Sequence, residues 1–574
     1  MMALLLAVSL TVPMALSHSE ILKAGGAPDR QATGQEVLSR SAGATESVER
    51  DLRVRIVGLA TQGAVLQIEV QGPPGDPCLL FVGLDLSDAL PDEEPGLQPL
   101  VIAAPRLAVP LGVLPPSGRT SHPLRLHPDP VFQNRTVYVQ AWTPSLGFGS
   151  PVFKSSSPLT LTEPTPQPGA RFGFSLAAGD VDGDGFEDLV IGAERAYAAD
   201  IVERGEAFLF YGPTFERQIP LAPPDPTEPR RFGAAVAAAD FTQNGAVDIV
   251  VGANYSDKDG LTRAGRAWVY YAPELSLATE IADPSPSEAA LFGAPLAAGD
   301  IDNDGYADVA IGAPHKTVSG LTTAGAAVVA FGPDFSRKLE LHELDPEAGA
   351  SFGISLAIGD VNNDNYDDLA VGVIEGSAGG ALDAGEAFVY FGPTLSSYVN
   401  LTDPFPSSGD RFGRACAIGD YDGDGYGDVA FSSYRANLPP FDQAGEVWVF
   451  MGPSLSSLHH VEPPIPRHDV SQFGVALAAG DIDGDGRDEL AVGVEFARLL
   501  GGCTNAGAVL LYRNGVAFSQ ITRLLEREPQ SGAVFGFSIV FGDFIGSGLR
   551  GLAAGAITAD VNGYVDAGRV TAYP

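Results

Sequence analysis

Phe172-Gly-Phe-Ser-Leu-Ala-Ala-Gly-Asp-Val-Asp-Gly-Asp-Gly-Phe-Glu-Asp-Leu-Val-Ile-Gly-Ala193 decides the fold, because the chain keeps repeating it. Phe-Gly returns at Phe232, Phe292, Phe352, Phe412, Phe473 and Phe535, spaced by 60 residues and then by 61 and 62. Each copy supplies an apolar run, an acidic turn and a second apolar run. A third run opens on a glycine (Gly205, Gly265, Gly325, Gly385, Gly445, Gly507, Gly568) and ends on an aromatic in stretches such as Ala207-Phe-Leu-Phe-Tyr211. A fourth short segment is marked by Leu221, Ile281, Leu341 and Leu401, eleven positions before the next Phe. Short β-branched and aromatic runs between turn residues read as strands. Four antiparallel strands form a blade, and a blade alone cannot cover both of its faces, so blades must stack around an axis. The expected fold class is therefore all-β, a seven-bladed β-propeller over residues 157–574. The chain stops at Pro574 after the third run of the last repeat. The missing outer strand of blade seven is expected from 157–162, where Leu161 stands eleven residues before Phe172.

The turn between the first two runs reads Asp-x-Asp-x-Asp-Gly-x-x-Asp. Carboxylates at positions 1, 3, 5 and 9, a glycine at 6 for the sharp bend and a backbone carbonyl at 7 supply the oxygens that calcium takes, about six to eight. The expected ligand sets are Asp180, Asp182, Asp184, Phe186 and Asp188; Asp300, Asp302, Asp304, Tyr306 and Asp308; Asp360, Asn362, Asp364, Tyr366 and Asp368; Asp420, Asp422, Asp424, Tyr426 and Asp428; and Asp481, Asp483, Asp485, Arg487 and Glu489. A weak sixth is expected around Asp240, Asn244 and Asp248, and none at Asp543. An EF-hand begins similarly but needs an acid at position 12 and flanking helices. Position 12 here is Ile191 or Ile311, inside a β run. The plainer alternative, solvated Asp-Gly turns, does not explain why the pattern recurs in phase with the repeat.

These Phe-Gly pairs, acidic turns and the Ile-Gly-Ala-Pro314 segment with its relatives resemble the FG-GAP repeats of integrin α-subunit propellers and their bacterial relatives, over residues 157–574. The resemblance implies an extracellular propeller with structural calcium, used in adhesion or ligand binding. Calcium turns fall here in repeats one and three to six rather than clustering late. No leg domains, membrane helix or cytoplasmic tail follow Pro574, so integrin-type signalling is not expected.

A formal net charge of −38 excludes a general role with nucleic acid, which needs a basic surface. It points to cations as partners, or simply to solubility. Met1 to Ser17 is almost wholly apolar and ends in small residues, as a secretory signal peptide does, so export to the cell surface or medium is expected. The run is shorter than the ~20 residues of a spanning helix. Residues 18–50 read as a flexible linker and 51–150 as a small β-sandwich-like domain. Three cysteines far apart define no disulfide framework, and Cys416 on an apolar run reads as a small buried hydrophobe.

No catalytic constellation stands out. His122 and His127 in a Pro-rich stretch, and His315, His459 and His460 in or near connections between strands, read as surface or packing residues. Relatives that join such propellers to phospholipase domains would need a metal-binding His/Asp/Glu set before residue 157, and none is evident. The expected function is binding of an extracellular protein or glycan ligand. The alternatives are a polysaccharide-active or other hydrolase or lyase on the propeller, and a purely structural surface protein. In a four-strand meander the acidic turns occupy one face. The long loops Asn254–Gly260, His315–Gly320, Tyr434–Asn437 and Glu495–Arg498 occupy the other, where aromatic and charged groups mix as on binding surfaces.

Overall fold

The structure is a computed structural model. It describes residues 158–574 apart from 198–202, 225–229, 277, 465–470, 498–502, 514, 516–517 and 527, and before them the backbone of seven strands. Two units divide between Ser157 and Pro158. The described residues contain strands and turns and no helix, hence none long and apolar enough to cross a membrane.

The second unit is a seven-bladed propeller. In blade one the strands Phe172–Gly179, Asp188–Ala193, Glu206–Phe210 and Gln218–Leu221 pair in chain order, and five further blades repeat this plan. The strands' composition follows their place. Asp188–Ala193 is buried at every residue, which is why it reads as an unbroken apolar run. Gln218–Leu221 alternates and buries only Leu221 fully, as an outer edge strand should. First strands of successive blades neighbour one another around the whole ring, Phe535–Gly542 against Phe172–Gly179 included.

Blade seven takes its outer strand from Leu159–Thr162, which pairs antiparallel with Arg569–Tyr573. Leu161 lies opposite Val570, the same register as Leu221 opposite Ala207 and Ile281 opposite Ala267. Pairing this edge leaves blade seven with four strands like the rest.

The Phe-Gly pair has a packing reason. Phe172 is fully buried, with ring centroids 5.9 Å from Phe208 and 5.8 Å from Phe210 of its own third strand. Gly192 of the second strand lies where a Cβ would collide with the carbonyl oxygen of Gly233 in the next blade. Glycine there sets how closely two blades approach.

Three local details complete the strands. Blade three's first strand is Leu296–Gly299, shorter than its equivalents, because Pro295 has no N–H to give the ladder. His459 and His460 are inside the short outer strand Ser457–Val461, beside the connections. His460 stacks on Trp448 at 4.2 Å and bonds Glu446 at 2.5 Å. Cys416 packs half-buried against the core, and burial pushes its thiol up to about 12, far from a reactive thiolate.

In the first unit, Arg53–Val57, Val65–Gln71 and Arg119–Arg125 form one sheet. Val8–Leu10, Thr136–Trp142, Pro77–Asp85 and Leu107–Val113 form another, in that order. The signal peptide expected at 1–17 and the linker at 18–50 lie outside the described residues except for Val8–Leu10, which pairs with Thr136–Trp142. The packing expected of a 51–150 sandwich also lies outside them.

Candidate metal centres

Each acidic turn is built on its first carboxylate. Asp180 Oδ1 accepts the N–H groups of Gly183 (2.8 Å) and Asp184 (3.1 Å), and Oδ2 that of Gly185 (2.8 Å). Asp300, Asp360, Asp420 and Asp481 organise their turns in the same way. At position 5, Asp184 accepts the N–H of Phe186 at 3.0 Å, and Asp304, Asp364, Asp424 and Asp485 accept those of Tyr306, Tyr366, Tyr426 and Arg487. At position 9, buried Asp188 accepts from Val181 (3.0 Å) and Gly212 (2.8 Å), fastening the turn to the end of the third strand. Asp308, Asp368 and Asp428 make both equivalent bonds, and Glu489 accepts from Ile482.

Backbone donors thus satisfy positions 1, 5 and 9; at position 3, Asp422 accepts the N–H of Asp424 at 3.0 Å, and four other turns leave an oxygen over. Oδ1 of Asp182, Asp302, Asn362 and Asp483 is buried with no hydrogen-bond partner. A buried acceptor without a donor costs about 1–3 kcal/mol, and a hard cation is the partner an all-oxygen site accepts. Carboxylate oxygens of Asp180, Asp182 and Asp188 lie within 4.8 Å of one another. So do those of Asp300, Asp302 and Asp304, of Asp420, Asp422 and Asp428, and of Asp481, Asp483 and Glu489. Asp184, Asp308, Asp424 and Asp485 stand outside these triads. The turn of repeat four, with Asn362 at position 3, forms no carboxylate triad. Burial, reinforced by neighbouring carboxylates, pushes Asp188, Asp308, Asp368 and Asp428 up to about 7 and Glu489 to about 8. A divalent ion at such a turn reverses that field.

Repeat two departs in an instructive way. The Thr242 hydroxyl donates towards Asp240 and Asp248, both at 3.4 Å, and the Asn244 amide donates to the Ala272 carbonyl at 3.0 Å. Its own side chains therefore provide donors where other turns leave an acceptor bare. In repeat seven Asp543 accepts from Ser547 and Gly548, so the bend survives, with Ile545 and Gly551 where carboxylates would be needed.

Two contacts were not evident in the sequence. Arg217 reaches Asp182 Oδ2 at 3.0 Å, and Arg337 reaches the same atom of Asp302. Both lie 35 residues after their partner, an offset that was the available signal. Each arginine also lies 3.7 Å over an aromatic ring, Tyr211 or Phe331. They occupy one oxygen of the position 3 carboxylate and leave Oδ1 for an ion.

The turns also join blades. The carbonyl of Asp180 accepts the N–H of Val247 (2.8 Å), Asp240 that of Ala307, Asp300 that of Asp367, Asp360 that of Gly427, Asp420 that of Asp488, Asp481 that of Arg550, and Asp543 that of Glu187 (3.0 Å). These seven bonds run once around the ring.

On the opposite face the second-to-third-strand connections of blades two, three and five each make a minimal two-residue bridge, Lys258 with Leu261, Val318 with Leu321 and Leu438 with Phe441. Of the residues flagged there, Tyr255 carries the Arg231 guanidinium 3.7 Å over its ring. Tyr434 gathers three arginines, two of which, Arg411 and Arg414, belong to the first strand or its entry.

The second unit is thus a closed ring of seven four-stranded blades whose acidic first turns could hold a cation. The FG-GAP repeat family matches residues 172–209, 232–270, 292–329, 352–390, 412–450 and 473–512, six of the blades and each time the first three strands. The chain is 28% identical over 255 residues to "Integrin alpha pat-2" of Caenorhabditis briggsae, covering 40% of this chain and 19% of that protein. It is 30% identical over 242 residues to "Integrin alpha-PS2" of Drosophila melanogaster, covering 38% and 16%. It is 25% identical over 385 residues to "Phosphatidylinositol-glycan-specific phospholipase D" of Bos taurus, covering 59% and 45%. The protein is an FG-GAP repeat protein with an integrin α-like propeller. It spans less than half the length of these curated relatives.

Proposed function

We propose that this is an exported, calcium-stabilised propeller that binds a protein or glycan ligand in adhesion, and that it is not itself an enzyme. The observation that carries the calcium assignment is the buried, unpartnered Oδ1 at position 3 of four turns. Bound calcium would supply charge neutralisation among the carboxylates. The residues that would hold it are those named at positions 1, 3, 5 and 9, with the position 7 carbonyls of Phe186, Tyr306, Tyr366, Tyr426 and Arg487. Because the carbonyl of each turn's first residue also bonds the next blade, an ion that fixes the turn fixes a seam. With the turns given over to the ion and to the seams between blades, the long-loop face is the one read as carrying the ligand.

Thermal unfolding with and without a chelator tests the metal reading, and an unchanged midpoint defeats it. An array of extracellular proteins and glycans, probed with the wild type and a Tyr255→Ala/His315→Ala variant, tests the binding reading. Equal capture by both proteins counts against the long-loop face. A second reading, a propeller serving a hydrolase, has the bovine phospholipase D match behind it. Turnover of inositol-glycan or polysaccharide substrates by the full chain would favour it.

A further inference from the structure

Blade three buries an amine between two carboxylates. Lys316 lies in the connection between the second and third strands, Asp308–Ala313 and Ala326–Ala330, where its carbonyl accepts the N–H of Gly325 at 3.0 Å. Ala196, Ser256, Gly376, Ala436 and Ala559 make the same bond in other blades, so the position holds a small residue there and an amine here. The Lys316 side chain is 2% exposed. Its Nζ lies 2.7 Å from Oδ1 of Asp283, itself 4% exposed, and 3.0 Å from Oε2 of Glu340. Asp283 belongs to the link that enters blade three, and Glu340 to that blade's outer strand, Lys338–Leu341. Ser285 joins the two acids, its N–H donating to Asp283 Oδ1 at 2.9 Å and its hydroxyl to Glu340. Asp283 Oδ2 is buried with no hydrogen-bond partner. Blade two shows an ordinary pair for contrast. Lys258 meets Glu280 at 2.9 Å, but the two are 26% and 23% exposed and Arg266 holds the same carboxylate through two hydrogen bonds.

We propose that Lys316 and Asp283 condense to an amide, a covalent staple between the link entering blade three and the connection between that blade's second and third strands. Glu340 moves the protons. It takes one from the ammonium, and the nitrogen lone pair, already one bond from its target, adds to Cγ of Asp283 while the Ser285 N–H steadies the charge on Oδ1. The bond from Cγ to Oδ2 then breaks. Oδ2, which no donor retains, leaves as water with two protons passed from the nitrogen through Glu340. One ammonium and one carboxylate become one amide and one water, so the step needs no other reactant and returns Glu340 unchanged. Holding the two groups in contact away from solvent raises their effective concentration to on the order of 10⁵ M or more. The product also removes two charges that are costly to keep desolvated. Glu340, 25% exposed, marks the way out for the water. Cys416 and Cys503 are free, so among the described residues no disulfide crosslinks the ring.

Trypsin has no site between Arg266 and Lys316 or between Lys316 and Arg337, and it does not cut after an acylated lysine. Digestion of the denatured full chain, read by mass spectrometry, is expected to give a single peptide 267–337 lighter than its sequence by one water, about 18 Da. Lys316→Arg and Asp283→Ala should abolish the water loss. Glu340→Gln leaves both reacting groups in place and should slow the reaction by about a hundredfold, so that freshly purified protein yields peptides 267–316 and 317–337. Those two peptides at full mass from the wild type overturn the inference and leave an ion triad. So does peptide 267–337 at full mass, a water loss that persists in Asp283→Ala, or a Glu340→Gln chain linked as fully and as fast as the wild type. The wild-type digest decides even where Asp283→Ala does not fold.

Discussion

Turns six and two have the same backbone bend and opposite chemistry. In turn six Asp483 turns a buried Oδ1 towards no donor, whereas in turn two Thr242 occupies the same position and offers its hydroxyl to Asp240 and Asp248. One turn is incomplete without a cation and the other completes itself. On the calcium reading proposed above, a position 3 side chain that accepts or donates sets whether a blade depends on the ion, while position 1 bends the loop in either case.

Removing calcium should separate the two classes most sharply. With about five sites each contributing on the order of 2–3 kcal/mol when well saturated, a chelator should lower the midpoint by roughly 10–15 °C for a unit of this size, as calorimetry would register. Asp483→Ala should cost roughly 3 °C in calcium and reduce by one the ions counted by mass spectrometry under native conditions. In chelator its effect should vanish or reverse, because the unpartnered oxygen is gone. A loss of equal size in both buffers would mean that turn six is not a calcium turn. Thr242→Asp should convert turn two, adding one ion and stabilising the chain in calcium by up to about as much, while destabilising it in chelator. Thr242→Ala should cost about 1 kcal/mol in either buffer, with no change in ion count.

A second comparison lies at the seams. In the link from blade six to blade seven, Glu526 pairs with Arg569 through two bonds of 2.6 and 2.9 Å. At the matching place between blades seven and one, Glu163 meets Glu206. Burial and then that neighbour push Glu163 from 4.5 up to about 8. Its folded pKa is above its unfolded one, so the unfolded chain loses the proton first and stability falls as pH rises from about 4.5 to about 8. Glu163→Gln should flatten that decline and stabilise the protein by about 1 kcal/mol at pH 8, the smallest of these effects. A melting profile against pH that is unchanged in the variant would show that Glu163 is ionised in the fold.

The ring was legible because repetition reports it: seven Phe-Gly pairs, a 60-residue spacing and Leu161 in phase with Leu221. The acidic turns were legible as candidates because oxygen ligands must follow one another at fixed intervals along a bend. What a linear pattern does not report is who meets whom around the axis. Arg414 occupies a position that holds Phe174, Ala234 or Ile354 in other blades, so nothing in its own repeat announces an arginine cluster, and its neighbour Glu495 belongs to another repeat. Arg217 and Arg337 were missed because they lie on the connection after the third strand, outside the turn they contact. His460 could be placed only in or near a connection because the fourth strand is short and half-polar, and an edge strand looks much like a connection.

The pairing of Leu159–Thr162 with Arg569–Tyr573 also sets a timetable. During synthesis blades one to six can form as they leave the ribosome, since their partners are local. The carbonyl of Gly173, which accepts from the Ser538 hydroxyl, has to wait for a partner 365 residues further along. Such distant contacts form late and slowly. Until then Leu159–Thr162 is a strand without a sheet, and blade one has an uncovered flank, the kind of surface through which nascent chains find each other instead of themselves.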